Sequence, residues 1–217
     1  MLFADALLGP EEVGRVLGVD PVALAAADPR LLTKVPYDAD TLRAARTRGE
    51  LLLFRVPTDG TAPLTLLRLL ERFPDAIQAK LLKGVGYLLK DEWTLDQEPF
   101  AARAACQLAW CLVHREPIPA TRNLSYALQD AALARYAAGI GLEGRLRRRS
   151  AIEIVYDTLL FERARGVRLL GRAWDWSDTP TADGGYVIAG EFSAGGLHVL
   201  GYSRAVRFGT LGICAQH

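Results

Sequence analysis

The chain has 217 residues, 50% of them hydrophobic and 24% charged, a composition that is typical of a globular protein with a core and excludes a disordered chain. Lys and Arg together number 26 and Asp and Glu 25, so the net charge is +1. Proteins dedicated to nucleic acids usually carry a clear basic excess, and nucleic acid is therefore not an expected partner.

Apolar runs and cysteine usage predict the compartment. No apolar run reaches the roughly 18 residues that a membrane-spanning helix needs. The first residues contain no basic segment, and Glu11 and Glu12 follow early, so no secretory signal is expected. The three cysteines have no paired spacing and indicate reduced thiols. We therefore expect a cytoplasmic protein without a membrane span.

The first hundred residues predict a small N-terminal unit of short helices and one strand. Pro10 followed by Glu11 and Glu12 is typical of a helix start. The apolar run at 50–56, closed by a turn with Pro and Gly, is typical of a buried strand. In chain order, the patterns predict helices at 10–17, 21–28, 37–48, 63–73 and 76–82 and irregular structure at 83–105.

The second half predicts a different order of elements. Ser150 and Glu153 form a capping-box pattern, which is typical of a helix start. Gly166 is a typical residue to end the helix that begins there. The predicted order is a strand at 109–116, a helix through Tyr136, this helix at 150–165, and four short strands at 173–176, 186–192, 197–202 and 211–215. Turn-forming residues separate the last strands, which indicates an antiparallel meander.

Motifs for common chemistries are absent from the sequence. There is no G-x-x-x-x-G-K, no G-x-G-x-x-G after a strand, no H-E-x-x-H, no C-x-x-C and no G-x-S-x-G. Cys111 and His114 lie three apart on a predicted strand and would point to opposite faces. We therefore expect no cofactor and no metal, and no residue is predicted to be catalytic.

Three groups of residues allow two interpretations each. The basic run at 145–149 is more typical of a solvated loop than of a phosphate site. Trp174 and Trp176 would share one face of a strand, which favours a core position over a ligand platform. Three aspartates are more typical of turns than of a calcium site; they are Asp175, Asp178 and Asp183.

The stretch 195–210 combines Tyr, Ser, Arg, His and Phe with glycines. Rigid aromatic residues and adaptable hydrogen-bonding residues are typical of recognition surfaces. A plain strand, loop and strand near the C-terminus explains the same composition equally well. The residues alone leave the two interpretations open.

Short phrases in the second half carry a family resemblance. They are EPFA at 98–101, WCLV at 110–113, REPIP at 115–119, Asn123, Tyr126 and Gln129, AIEIVYDTLL at 151–160, GVRLL at 166–170, ADGGYV at 182–187, GEF at 190–192, GLHV at 196–199 and LGI at 211–213. In this order they resemble a bacterial family of target proteins of diversity-generating retroelements, and the resemblance runs from about Pro36 to the C-terminus.

The resemblance implies a C-type-lectin-like fold and ligand binding through residues that an error-prone reverse transcriptase varies. The implied varied positions are His198, Leu200, Tyr202, Ser203, Arg204, Val206, Arg207 and Phe208. Typical varied segments are rich in Asn and Tyr, whereas 195–210 contains one Tyr and no Asn. The calcium-dependent sugar motif of animal lectins is absent, so such binding is not implied.

Together, these observations predict an α+β protein with a small helical or α/β N-terminal unit at 1–100. A C-type-lectin-like domain, made of a strand, two helices and an antiparallel meander, is predicted at 101–217. The expected function is non-enzymatic binding of a protein or small-molecule ligand. The side chains expected to face solvent are those of His198, Tyr202, Ser203, Arg204, Arg207 and Phe208. The alternatives are an enzyme of the formylglycine-generating type, which needs a reactive cysteine or a metal, and a structural or assembly subunit.

Overall fold

The computed structural model describes residues 2–78 and 95–217 and has an α+β fold. In these ranges the helices are α1 (Pro10–Leu17), α2 (Pro21–Leu24), α3 (Ala39–Thr47), α4 (Leu66–Arg72), α5 (Pro99–Arg103), α6 (Tyr126–Gly139) and α7 (Ala151–Arg165). The strands are β1 (Leu7–Leu8), β2 (Glu50–Arg55), β3 (Ile77–Gln78), β4 (Ala109–His114), β5 (Trp174–Pro180), β6 (Tyr186–Ser193), β7 (Gly196–Tyr202) and β8 (Leu211–Gly212). No helix in the described ranges has the length and apolarity to cross a bilayer.

Two mixed sheets organise the molecule. The smaller sheet has the order β1-β2-β4, with β2 and β4 antiparallel from Glu50 opposite His114 to Arg55 opposite Ala109. The larger sheet has the order β3-β7-β6-β5-β8. The predicted antiparallel meander is confirmed for β5, β6 and β7 and is wrong for its fourth strand, because β8 pairs parallel with β5. The two outer strands of the larger sheet, β3 and β8, are parallel to their neighbours.

Most predicted elements agree with the structure. The predicted helix at 21–28 ends early, at Leu24, β1 was not predicted, and three further predictions differ. The predicted helix at 76–82 is wrong at its start, where β3 pairs with β7; its last residues, 79–82, lie outside the described ranges. Leu197 donates its N–H to the Ala76 carbonyl at 2.8 Å, so pairing with a distant strand overrides local helix propensity. Within 83–105, predicted as irregular, α5 forms, while 83–94 lie outside the described ranges.

The third difference concerns the end of the chain. The predicted strand at 211–215 is a strand only over β8, and the residues after it leave the larger sheet. The N–H of His114 donates to the Ala215 carbonyl at 2.9 Å, and the N–H of His217 donates to the Leu112 carbonyl at 3.0 Å. The last residues thus bond to β4 and connect the two sheets.

Helix α7 contacts β1 and β2 of the smaller sheet and β5 and β6 of the larger one. Its predicted capping box is confirmed: Ser150 donates its N–H to the Glu153 carboxylate, and the Ser150 hydroxyl accepts the N–H of Glu153. Gly166 ends the helix in the left-handed conformation. All residues from Ala151 to Phe161 are buried, because the helix is covered on more than its apolar stripe.

The predicted division into units at 1–100 and 101–217 is crossed by strand pairing and by packing. Strand β2 pairs with β4, and β3 pairs with β7. One buried apolar cluster extends along the chain from Phe3 to Cys214 and includes α7. The N-terminal residues thus contribute to the same core that supports the larger sheet.

Candidate functional site

The outer face of the larger sheet carries a second apolar cluster. Its buried members are Trp174, Trp176, Ile188, Leu200, Tyr202 and Leu211. Side chains alternate along a strand, so Val187, Ala189 and Val199 belong instead to the main cluster with α7. The core interpretation of Trp174 and Trp176 is therefore confirmed.

The predicted site residues lie at different depths around this second cluster. Leu200 and Tyr202 are 1% and 6% exposed. The expectation that Tyr202 faces solvent is therefore wrong, and the implied varied position Leu200 is buried as well. They lie on the β7 face that packs against the two tryptophans. The remaining six are more accessible: His198, Ser203, Val206 and Phe208 are half-buried, and Arg204 and Arg207 are exposed.

Residues 203–210, which we call the cover segment, fold over the second cluster. Val206 and Phe208 pack against the cluster. The Phe208 ring meets the rings of Trp174 and Tyr202 edge-on, each at a centroid distance of 6.3 Å. The cover segment thus has an inner side of apolar residues and an outer side that carries Arg204 and Arg207.

An open depression of about 750 Å³ lies between the cover segment and the start of α6, and we call it the arginine depression. Arg204 and Arg207 line one side of it. Sequence reasoning did not assign the opposite side to the site; it consists of Ser125, Tyr126, Ala127, Asp130 and Tyr186. Two of the eight predicted site residues therefore lie together in a concave feature, and six unpredicted residues join them, the sixth being Ala205 of the cover segment.

A stack of four side chains forms the base of the arginine depression. The rings of Tyr126 and Tyr186 are stacked with centroids 4.1 Å apart. The guanidinium of Arg148 lies 4.0 Å from the Tyr126 centroid, and that of Arg204 lies 4.8 Å from the Tyr186 centroid. Each cation thus covers the outer face of one ring, an arrangement that the ring quadrupole favours. We call this group the stacked column.

The outer arginine of the stacked column is also held by a hydrogen bond. Arg204 donates from Nη2 to the Tyr186 hydroxyl at 2.9 Å, and its carbonyl accepts the N–H of Tyr126 at 3.0 Å. A guanidinium fixed by stacking and a hydrogen bond loses less rotamer freedom when it binds a ligand. Within the described ranges the Arg204 guanidinium has no other hydrogen-bond acceptor, and the residue lines the depression.

The electrostatic character of the arginine depression is positive. Neither Arg204 nor Arg207 forms an ion pair with a residue of the described ranges. The carboxylate of Asp130 pairs with Arg148 Nε at 2.8 Å. The N-terminal end of α6 adds the partial positive charge of its dipole. Burial raises the pKa of Tyr126 to about 12, so this phenol stays neutral.

Arg148 anchors the stacked column to the fold. Its guanidinium donates to the carbonyls of Trp176 and Tyr126 at 3.1 and 3.0 Å and to the Gln129 amide oxygen at 3.1 Å. These bonds join α6 to β5 beneath the depression. The interpretation of 145–149 as a solvated loop is therefore wrong for Arg148 and also for its neighbour Arg149, which are 5% and 2% exposed.

Arg149 belongs to a buried ion network with Arg55, Glu153, Asp157 and Asp175. Arg55 forms two hydrogen bonds with the Asp157 carboxylate, at 2.7 and 2.6 Å. Arg149 joins Asp157 and Asp175, each at 2.8 Å. The turn interpretation of Asp175 is therefore wrong, since its carboxylate is required as a counter-ion inside the fold.

The enzyme alternative needs a reactive thiol or a metal. Burial raises the pKa of all three thiols: Cys106, Cys111 and Cys214. A catalytic cysteine requires the opposite shift, toward the thiolate. Among the described residues, no group of three or more His, Cys, Asp or Glu side chains could hold a metal ion.

No local pattern could have assigned Tyr126 and Tyr186 to the site. They belong to α6 and β6 and approach Arg204 only through tertiary structure. One signal was available, since in the predicted meander Tyr186 pairs with Tyr202, two residues before Arg204. The position of α6 over this edge depends on Arg148, which no periodicity reveals.

The chain was compared with known proteins in three ways. The comparisons with protein-family models, with curated proteins and with solved structures each gave no match. What supports a function is therefore the geometry of the arginine depression and the resemblance of the sequence phrases.

Proposed function

We propose that this chain is a non-enzymatic ligand-binding protein that binds a protein or small-molecule ligand in the arginine depression. We further propose that it is a variable protein of a diversity-generating retroelement with a C-type-lectin-like scaffold. In this account the cover segment selects the ligand, while Arg148, the stacked rings of Tyr126 and Tyr186 and the buried ion network hold the surface in place.

One observation carries the proposal. Arg204 and Arg207 project from an irregular segment into a concave depression whose opposite wall belongs to α6 and β6. Beneath them, Arg148 is buried and hydrogen-bonded and the stacked Tyr126 and Tyr186 rings are half-buried, whereas the side chains of Arg204 and Arg207 are exposed. Binding sites commonly combine such a rigid support with adaptable side chains on loops.

The order of elements supports the scaffold part of the proposal. After β4 come the two helices α6 and α7 and then the antiparallel strands β5, β6 and β7. This is the order that the resemblance implies for a C-type-lectin-like domain. The phrases that carry the resemblance include AIEIVYDTLL, which forms most of α7.

Burial refines which of the implied varied positions can contact a ligand. Leu200 and Tyr202 pack in the second cluster, so we assign them to the scaffold. The proposed ligand-contacting positions are those with accessible side chains: His198, Ser203, Arg204, Val206, Arg207 and Phe208. Arg204 and Arg207 are the principal ones, since both line the depression.

The diversification proposal is tested by sequencing the 3′ end of the gene across many cells of one population. We expect substitutions concentrated in codons 195–210, confined to positions where a template copy carries adenine. The codons for α7 serve as the internal control and should be invariant. A 3′ end that is as invariant as the α7 codons would contradict the retroelement proposal.

A further inference from the structure

We propose that the arginine depression of this chain selects a carboxylate group of a peptide ligand. This inference rests on the proposed function, because it names the chemistry of the ligand at the same site. The inference applies to the arginines at positions 204 and 207 of this sequence. A chain with other residues at these positions would select a different ligand group.

The first argument is the geometry of Arg204. Nη2 is engaged by the Tyr186 hydroxyl, and the guanidinium carbon lies over the Tyr186 ring, 4.8 Å from its centroid. The remaining donors lie at the edge of the guanidinium, where a planar carboxylate binds with two parallel hydrogen bonds. An arginine fixed in this way is suited to a flat anionic group.

The second argument is the charge of the surrounding wall. Arg207 lies in the same depression and has no carboxylate partner in the described ranges. Asp130, the acidic residue of the wall, already pairs with Arg148. Ser125 occupies the N-cap position of α6 and lines the depression, where its hydroxyl can donate a hydrogen bond to an anion. Together these groups favour an anion.

The third argument concerns size and the tyrosine rings. Arg148 and Arg204 cover the outer faces of the stacked tyrosines, so a ligand ring has no free tyrosine face on which to stack. A volume of about 750 Å³ is within the range of pockets that hold drug-sized ligands, roughly 300–1,000 Å³. A short peptide segment with an acidic side chain or a chain terminus fits both observations.

The test is a selection of peptides from a random library with the full-length chain as the target. We expect the selected peptides to be enriched in Asp and Glu, and their affinity to fall as salt screens the charges. Binding at the depression is located by NMR shifts of the Ala127 and Arg207 backbone amides. Arg204→Gln should weaken binding at least about tenfold, because it removes the charge-assisted hydrogen bonds.

The matched control is Arg172→Gln, an exposed arginine away from the depression, which should leave binding unchanged. Arg204→Lys keeps the charge but loses the planar fork, and we expect an intermediate affinity. Thermal unfolding of each variant shows whether the fold is intact. Arg204 is exposed, and its backbone contact with Tyr126 does not depend on the side chain, so folded variants are expected.

Synthetic peptides separate the two sources of a carboxylate. A Glu-containing peptide with an amidated end tests the side chain, and a neutral peptide with a free end tests the chain terminus. The matching Gln peptide, also amidated, should not bind. Binding of either acidic probe with failure of the Gln peptide supports the proposal and assigns the source.

Two results would overturn the inference, and they differ in what they leave standing. Peptides that shift the Ala127 and Arg207 amides without acidic enrichment, and whose affinity survives Arg204→Gln, would refute the carboxylate and leave the depression as a ligand site. A selection in which no peptide shifts those amides would refute both the carboxylate and the depression.

Discussion

At the scale of single residues, charge pairing inside the fold governs stability. Arg55 and Asp157 are 1% and 0% exposed, and Asp157 also accepts a hydrogen bond from Arg149. Removing one partner of a buried ion pair leaves an uncompensated charge, which is more costly than the pair is stabilising. The Asp157 carboxylate therefore pairs with two cations, Arg55 and Arg149.

We therefore expect Asp157→Asn to lower the free energy of unfolding by roughly 3–5 kcal/mol, measured by urea denaturation. The control is Asp130→Asn, which removes a half-exposed partner of Arg148 and should cost about 1 kcal/mol or less. Equal losses in the two variants would show that the buried network is not a principal source of stability.

Glu153 gives the network a pH dependence. Burial alone would raise the pKa of its carboxyl, but the hydrogen bonds from Arg147 and the charge of Arg55 lower that pKa from 4.5 to about 2. The folded state thus binds this proton more weakly than the unfolded state. The contribution of Glu153 to the stability of the folded state is fully present above about pH 4.5 and is lost as the pH falls toward 2.

We expect the free energy of unfolding of the natural chain to decline between about pH 4.5 and pH 2 more steeply than that of Glu153→Gln, as followed by urea denaturation at a series of pH values. Position 153 cannot titrate in the Gln variant, so the decline that remains in this variant measures the contribution of the other carboxyl groups. Parallel declines in the two proteins would mean that the pKa of Glu153 is not lowered.

At the scale of elements, β7 contributes side chains to the core, whereas the cover segment presents side chains at the surface. Tyr202 is buried with Trp174 and Trp176, while Arg207 projects outward from the cover segment. The sequence analysis expected the side chains of both Tyr202 and Phe208 to face solvent. The structure assigns Tyr202 to the core, and Phe208 to its half-buried edge.

We accordingly expect Tyr202→Ala to lower the free energy of unfolding by roughly 3–5 kcal/mol, as for other large core aromatics. Arg207→Ala, five residues further along, should change it by no more than about 0.5 kcal/mol. Both are measured by thermal or urea unfolding. A Tyr202→Ala variant as stable as Arg207→Ala would place that ring on the surface.

Local sequence pattern predicted the elements with strong local determinants. The capping box at Ser150, the apolar run of β2 and the turns between β5, β6 and β7 contain their own physical explanation. Local pattern failed for β3, where two residues take their conformation from pairing with β7. It also failed for Arg148 and Arg149, whose charges had suggested that both side chains are exposed to solvent. Those outcomes depend on partners distant in sequence, which periodicity and composition do not identify.

At the scale of the whole molecule, the buried ion network connects segments that are far apart in sequence. Arg55 at the end of β2 bonds to Asp157 of α7 and, through Nη1, to Gln216 near the C-terminus. Arg149 carries the network on to Asp175 of β5. The two sheets, α7 and the last residues thus share one set of charges beneath the proposed site.

This arrangement explains how a surface could change while the fold persists. The network, the second cluster and Arg148 involve no side chain of the cover segment other than Val206 and Phe208. The side chain of Arg204 contacts Tyr186 at the surface, and the side chain of Arg207 is exposed. The central claim is therefore that these two positions determine binding and contribute little to folding.

The most direct test is to randomise Arg204 and Arg207 together in one displayed library and Leu200 and Tyr202 together in another, and to measure the protease-resistant fraction of each. We predict that most variants of the first library stay resistant, while few of them keep the affinity of the original chain for its selected acidic peptides. Most variants of the second library should lose resistance. Equal losses of resistance in the two libraries would contradict the separation of scaffold and binding surface.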